Sequence, residues 1–422
     1  MTAKTPRLLC LLGVLAVSPA AGLTFAQHRF PSGGRTPFAV AIADLDGDRR
    51  LDLAVTNASS PILGILLATP EGFRPAPGVA VDTGARGLAA ADLDADGNAD
   101  LAIASAVRSR LAVLRGDGRG GGTVRTVPTG LAPFQVAIAD LNGDGALDVA
   151  VADECNVPAY AGRGEVSVLF GDGRGGFTAG PTLRADTHPA DIVAADFDGD
   201  QAIDLAVVNW GSRNLSLFRN RGPRAEPLFD PARTVDYRGA PAYAVAAGDL
   251  DGDGDTDLVV GDAQGVVHRL HNDGRGAFTL AAPLQAGRGL RSLILADLDG
   301  DRRPDLASAN TGDDSVSILT QPGGQWSAAQ RIAVGTRPRT VRAADLDGDG
   351  RVDLVVTNGG SNDVSVLTSL NNSLEGAAPA APVRDGCEAP LNRPRGSAAL
   401  QVNRRRRRSA PGRRSTARGA RR

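Results

Sequence analysis

No feature constrains this chain more than a nine-residue stretch that occurs seven times with side-chain oxygen ligands at positions 1, 3, 5 and 9. The last copy reads Asp345-Leu346-Asp347-Gly348-Asp349-Gly350-Arg351-Val352-Asp353. The six before it place Asp44, Asp46, Asp48 and Asp52; Asp92, Asp94, Asp96 and Asp100; Asp140, Asn142, Asp144 and Asp148; Asp196, Asp198, Asp200 and Asp204; Asp249, Asp251, Asp253 and Asp257; and Asp297, Asp299, Asp301 and Asp305 at the same positions. Acids at alternate positions of a short loop can converge on one point, which is how a hard cation such as Ca2+ gathers six to eight oxygens, with the position-7 carbonyl adding one. The loop glycines allow the positive φ this needs. Empty, such a loop is unfavourable, since two carboxylates about 4 Å apart repel by roughly 4 kcal/mol at an effective dielectric of 20. Up to seven Ca2+ ions are therefore expected, and Asn142, the one departure from Asp, still offers a carbonyl oxygen.

Successive copies start 48, 48, 56, 53, 48 and 48 residues apart, which marks a repeat protein. An EF-hand is excluded, because its bidentate acid at loop position 12 is replaced by Val55, Ile103, Val151, Val207, Val260, Ser308 and Val356. In the last unit, Trp326 to Val334, Thr340 to Ala344, Leu354 to Thr357 and Val364 to Thr368 read as four strands, the acidic loop following the second. Four short strands per unit describe a β-propeller blade, so the fold class is all-β, a seven-bladed propeller of four-stranded blades. Phe73, Phe177, Phe278 and Trp326 each lie nineteen residues before the next loop and read as blade-packing core. The glycine-rich run Gly171 to Gly176 precedes a strand and so reads as a hairpin turn, since phosphate loops open helices.

The same ruler reaches the N-terminus. Phe25 lies nineteen residues before Asp44, so Phe25 to Phe30 matches an outermost strand without the rest of its blade, whereas the seventh unit ends at Leu370 without its outermost strand. Pairing the two closes the ring and removes exposed edges. The roughly 345 residues involved exceed one ordinary core, but each repeat packs only on its neighbours.

The stretch Ala344-Asp345-Leu346-Asp347-Gly348-Asp349-Gly350-Arg351-Val352-Asp353-Leu354-Val355-Val356-Thr357-Asn358 and its six counterparts resemble the FG-GAP/VCBS-like repeat family, related to the seven-bladed propeller of integrin α subunits. The resemblance covers nearly all of 23–370. It implies calcium in the loop between the first and second strands of each blade and a role in extracellular recognition. Here all seven loops are competent, where integrin propellers use only some. The phenylalanine-glycine and glycine-alanine-proline elements are patchy, as at Arg238-Gly239-Ala240-Pro241, so no integrin-like partner site is carried over.

Residues 1–22 read as a cleaved secretory signal, with Lys4 and Arg7, an apolar run from Leu8 to Val17 and small residues around Ser18 to Ala21. That run is half the length a membrane span needs. The mature chain is expected to be secreted, periplasmic or at the cell surface, with no transmembrane segment. Signal cleavage removes Cys10 and leaves Cys155 and Cys387, whose pairing the sequence leaves open; they form no disulfide framework. Residues 371–422 turn to Ala, Pro and Arg and read as a disordered basic tail. Its thirteen Arg against Glu375, Asp385 and Glu388 give +10, so a whole-chain charge of −2 leaves −12 on residues 1–370, which seven Ca2+ would roughly neutralise. Arg404 to Arg422 either attaches the chain to an anionic polymer or surface, is a solvated tail, or reflects base-biased coding.

Two function classes remain. The first is a monomeric, calcium-stabilised binding or adhesion module for an extracellular protein or glycan. The loops before the innermost strands hold Arg35, Arg86, His188, Arg238, Arg288 and Arg337, which would form a basic ring on the face opposite the acidic loops; arginine is also nearly the only cation the chain uses. The second is a polysaccharide-active enzyme such as a lyase. Catalysis finds little in the sequence, because His28, His188, His268 and His271 are scattered and no nucleophile motif accompanies them.

Overall fold

The computed structural model describes residues 23–155, 164–223 and 225–370. The expectations for residues 1–22, residues 371–422 and Cys387 lie outside these. The described strands form seven antiparallel sheets, one per repeat, and no α-helix occurs among the described residues.

Each blade reads outward from an innermost strand that runs into the acidic loop. In blade one the order is Pro37–Ala43, Asp52–Asn57, Ile62–Thr69 and Gly72–Pro75. The second strands carry sequences such as Asp-Leu-Ala-Val-Thr-Asn, and all six residues are buried in every blade. They lack the apolar–polar alternation of a half-buried strand because each blade is covered on both faces. Toward the rim the burial fades, and Gly122–Pro128 in blade two is mostly exposed.

The core is a series of seven clusters, one at each blade boundary. Ile65 and Leu67 of blade one pack with Leu88 and Ile103 of blade two, and Val40 and Val55 of blade one pack with Val355 and Val364 of blade seven. This nearest-neighbour arrangement lets the chain exceed the size of a single core.

Closure follows the sequence expectation. Thr24–Pro31 pairs antiparallel with Asp363–Leu370 as the fourth strand of blade seven, with Phe25 opposite Ser369 and Phe30 opposite Val364. Arg29 forms an ion pair with Asp363, and the Thr24 hydroxyl donates to the Leu370 carbonyl at 3.2 Å. The expected strand Trp326 to Val334 is shorter than its sequence suggested. A 3-10 turn at Pro322–Gly324 delays it, and only Gln330–Ala333 pairs. The register aromatics are half-buried packing residues that bridge elements, as Phe73 does edge to face with Phe30 at 5.5 Å.

Candidate metal centre

All seven loops fold by one rule, in which the aspartates first organise their own backbone. Oδ2 of the first aspartate accepts the N–H of position 6 at 2.8–3.0 Å in every copy. Oδ1 of the fifth position accepts the N–H of position 7 at 2.8–2.9 Å in every copy. These bonds need left-handed backbone at positions 4 and 6, as in φ 78° at Gly47 and φ 83° at Gly350. Glycine enters that region freely. Arg49, Ala95, Gln201 and Arg302 are held there despite their side chains.

The ninth aspartate has a different task from the other three. Its Oδ2 accepts the N–H of position 2 at 2.9–3.1 Å. Its Oδ1 accepts an N–H at or just beyond the end of the third strand, from Ala68, Gly116, Gly171, Asn220, Asn272, Gln321 and Ser369 at 2.6–2.8 Å. It therefore ties the loop to the third strand of its own blade.

Burial makes this carboxylate costly to ionise. It pushes the acid up to about 6 in Asp100, Asp148 and Asp353 and to about 7 in Asp204 and Asp305, and upward in Asp52 and Asp257. Backbone N–H bonds oppose the shift. Loop acids such as Asp198 and Asp200 beside Asp204 add to it.

Ligand oxygens of Asp44, Asp46 and Asp48 lie within 4.8 Å of one another, as do those of Asp92, Asp94 and Asp96, of Asp249, Asp251 and Asp253, and of Asp196, Asp198 and Asp204. Each carboxylate oxygen has two lone pairs, so accepting one amide leaves a second for a cation. Asp198 Oδ1 is buried with no partner at all. Crowded carboxylates, an orphaned buried oxygen and an all-oxygen set fit a hard divalent cation. In the third loop Asn142 Oδ1 accepts the Asp144 N–H at 2.9 Å, a bond the aspartates at position 3 also make elsewhere.

Sequence reasoning missed the cations that reach these loops from the end of the third strand. Arg115 pairs with Asp94 and with Asp96 at 3.5 Å, and Arg219 pairs with Asp198 and with Asp200 at 3.1 Å. His271 Nδ1 lies 2.9 Å from Asp251 and 3.4 Å from Asp257. The signal was present, since Arg115 and Arg219 each stand fifteen residues after a ninth aspartate.

At the opposite ends of the innermost strands, the expected basic ring is only partly assembled. Arg86 lies within a strand, not a loop, and pairs with Glu154 at 2.8 Å. His188 stacks on Trp210 at 5.0 Å, and Arg288 pairs with Asp313 at 3.3 Å. Arg35 and Arg337 are exposed, and Arg238 lines a cavity of about 450 Å³ with Arg213, Asp262 and His268. His268 Nε2 lies 3.1 Å from Asp262, but no serine, threonine or cysteine lines the cavity, and the Tyr237 hydroxyl donates to the Ala240 carbonyl. Cys155 is buried and free, with its thiol pushed up to about 11 by burial.

The FG-GAP-like repeat pattern matches residues 92–151, 196–260, 249–308 and 297–356, together more than half of the chain. Among solved structures the fold is similar to BBS1N in a crystal structure of its complex with ARL6DN, at TM-score 0.57 and 13% identity over 81% of this chain and 95% of that one. It is also similar to hydrazine synthase from Kuenenia stuttgartiensis, at TM-score 0.56 and 15% identity over 85% of this chain and all of that one. At these identities the likeness concerns the fold alone. No curated protein shows significant sequence similarity.

Proposed function

The chain belongs to the FG-GAP-like repeat family, and from that premise we propose that it is a calcium-stabilised propeller that binds a macromolecular ligand outside the cytoplasm and is not itself an enzyme. One observation carries the calcium reading: seven loops of one backbone geometry, four of which crowd three carboxylates within 4.8 Å of one another, each end in a buried ninth aspartate whose ionisation burial disfavours and a cation would favour. Bound Ca2+ would be held by the oxygens at positions 1, 3, 5 and 9, where it supplies positive charge and cross-links the loop; its role is structural. The signal-like pattern in residues 1–22 supports an exported protein, and millimolar external calcium suits sites of this kind.

The binding reading is supported by the family and by the fold's use in BBS1N, whose structure is a complex with ARL6DN. Against catalysis stand the places of the histidines: His28 on an exposed outer strand, His188 stacked on tryptophan, and His268 and His271 engaged with aspartates. Isothermal titration of the chain after chelation is expected to give close to seven Ca2+ per chain, with dissociation constants around 0.1–1 mM. Chelation is expected to lower the melting temperature, because an ion that binds only the folded state stabilises it. A melt that EDTA leaves unchanged refutes the proposal.

A further inference from the structure

Away from the acidic loops, the innermost strands share a second irregularity. In all seven, the ladder to the second strand breaks register just after the first residue, and a bulge re-aims the side chain it releases. The released side chains meet across blades. The Arg291 guanidinium lies 3.8 Å from the Tyr243 ring centre, Arg339 lies 5.2 Å from Phe38, and Arg86 lies 4.8 Å from Phe134. Phe38 of blade one and Phe134 of blade three touch edge to face at 5.4 Å, past the intervening blade. Gly87 of that blade permits the approach, since a Cβ there would sit 2.7 Å from the Phe134 carbonyl oxygen.

Two of the three cations in these contacts have no counter-charge among the described residues. Arg86 is matched by Glu154, but Arg291 and Arg339 form no ion pair among the described residues. The Arg339 Nε and the Trp210 indole nitrogen are buried without an acceptor, and Trp210 stacks on the Tyr243 ring that Arg291 covers. We propose that this end of the ring of innermost strands binds the carboxylate or sulfate groups of an acidic glycan, with Arg291 and Arg339 as the main donors and the Trp210 N–H, on the ring stacked against Tyr243, as a further one. The proposal rests on the reading of the chain as a binding module.

Burial and the neighbouring Arg291, Arg337 and Arg86 together depress the Arg339 guanidinium to about 10, so an anion there relieves repulsion already present. A planar guanidinium matches carboxylate and sulfate oxygens with paired donors. The aromatic rings are engaged with guanidiniums and with one another, which argues against the base stacking that single-stranded nucleic acid requires. Large exposed apolar residues among the described ones are limited to Ile62, Val107, Leu280 and Leu370, one each in blades one, two, five and seven, so they form no contiguous apolar groove of the kind that anchors a peptide. With the acidic loops at the other end of each innermost strand, the arginine end is the more favourable one for a polyanion.

The test uses the chain in calcium and a version lacking Arg404 to Arg422, titrated at low salt with heparin and polygalacturonate, with polyglutamate and an oligonucleotide as competing anions. Both versions are expected to bind at least one of the two glycans more tightly than polyglutamate or the oligonucleotide. An Arg291→Gln and Arg339→Gln double variant is expected to weaken that binding by at least about tenfold, with the calcium-dependent melt intact. Trp210→Phe keeps an aromatic ring and removes the N–H, so it is expected to weaken binding even if the double variant misfolds. Unchanged glycan affinity in these variants, loss of binding on removal of the tail alone, or tighter binding of peptide or oligonucleotide overturns the proposal. No glycan binding in a chain whose melt still responds to calcium refutes this site and leaves the calcium reading standing, whereas a melt indifferent to calcium refutes that reading separately.

Discussion

Asp191 is the acid inside the ring of innermost strands that no acidic loop accounts for. Its Oδ2 accepts the Val245 N–H at 3.1 Å and its Oδ1 the Ile192 N–H at 3.0 Å. Burial still pushes it up to about 6, against the pull of the Val245 N–H and of Arg342. An acid whose folded pKa exceeds its unfolded value contributes stability that is fully present below about 4 and is lost as pH rises through about 6. Between pH 4 and pH 7 the wild type is therefore expected to lose up to about 3 kcal/mol relative to Asp191→Asn, which holds the neutral form. Parallel denaturant melts of the two proteins across that range check it, and a constant gap contradicts it. Arg219 tests the other residue-scale finding, because its guanidinium already occupies Asp198 and Asp200. Arg219→Gln is expected to tighten calcium binding at the fourth loop about two- to tenfold, on the scale of a partly exposed charge pair. An affinity that is unchanged or weaker refutes it. The loop acids were legible in the sequence because a nine-residue loop is local. Arg219 left a trace there, fifteen residues after a ninth aspartate, but Arg291 and Arg339 did not, since what they touch depends on strand register and on bulges that no spacing announces.

Within one blade, the loop aspartates divide into three that serve the loop and its ion and a ninth-position one that also holds the sheet. Asp52 joins Leu45 N–H and Ala68 N–H while fully buried, whereas Asp48 is exposed and bonds the Arg50 N–H of its own loop. Asp52→Ala leaves two buried amides unsatisfied and is expected to cost about 2–4 kcal/mol with or without calcium. Asp48→Ala is expected to lower the melt in calcium and to have little effect in EDTA. Equal behaviour of the two variants across both conditions refutes the division. Sequence showed the ninth acid only as one more ligand. Its structural role appears once the third strand folds back beside the loop and offers an amide sixteen residues further on, at Ala68. Strand ends were the least legible feature, and Trp326 shows why. Its place in the repeat implied a strand, but Pro322 and two glycines set a turn that sequence periodicity does not weigh.

At the scale of the whole ring, seven blades were legible because each acidic loop fixes where one unit begins, and closure because the N-terminal segment fits that ruler. What closure contributes is specific. Residues 24–31 supply the fourth strand of blade seven, the Arg29–Asp363 pair and the Phe30–Phe73 contact to blade one, and Phe25 packs with the cluster shared by blades six and seven. Deleting Phe25 to Gly34 therefore exposes the ladder edge of Asp363–Leu370 and opens the outer boundary between blades seven and one. The deleted protein is expected to melt well below the parent and to associate with itself, measured by calorimetry and by light scattering. Deleting residues 371–422 removes none of these contacts and is expected to leave the melt nearly unchanged. If the two deletions lower the melt equally, the N-terminal strand is not what holds the ring shut, and closure has to reside in the contacts between the innermost strands of blades one and seven, where the Thr340 hydroxyl donates to the Phe38 carbonyl at 2.7 Å.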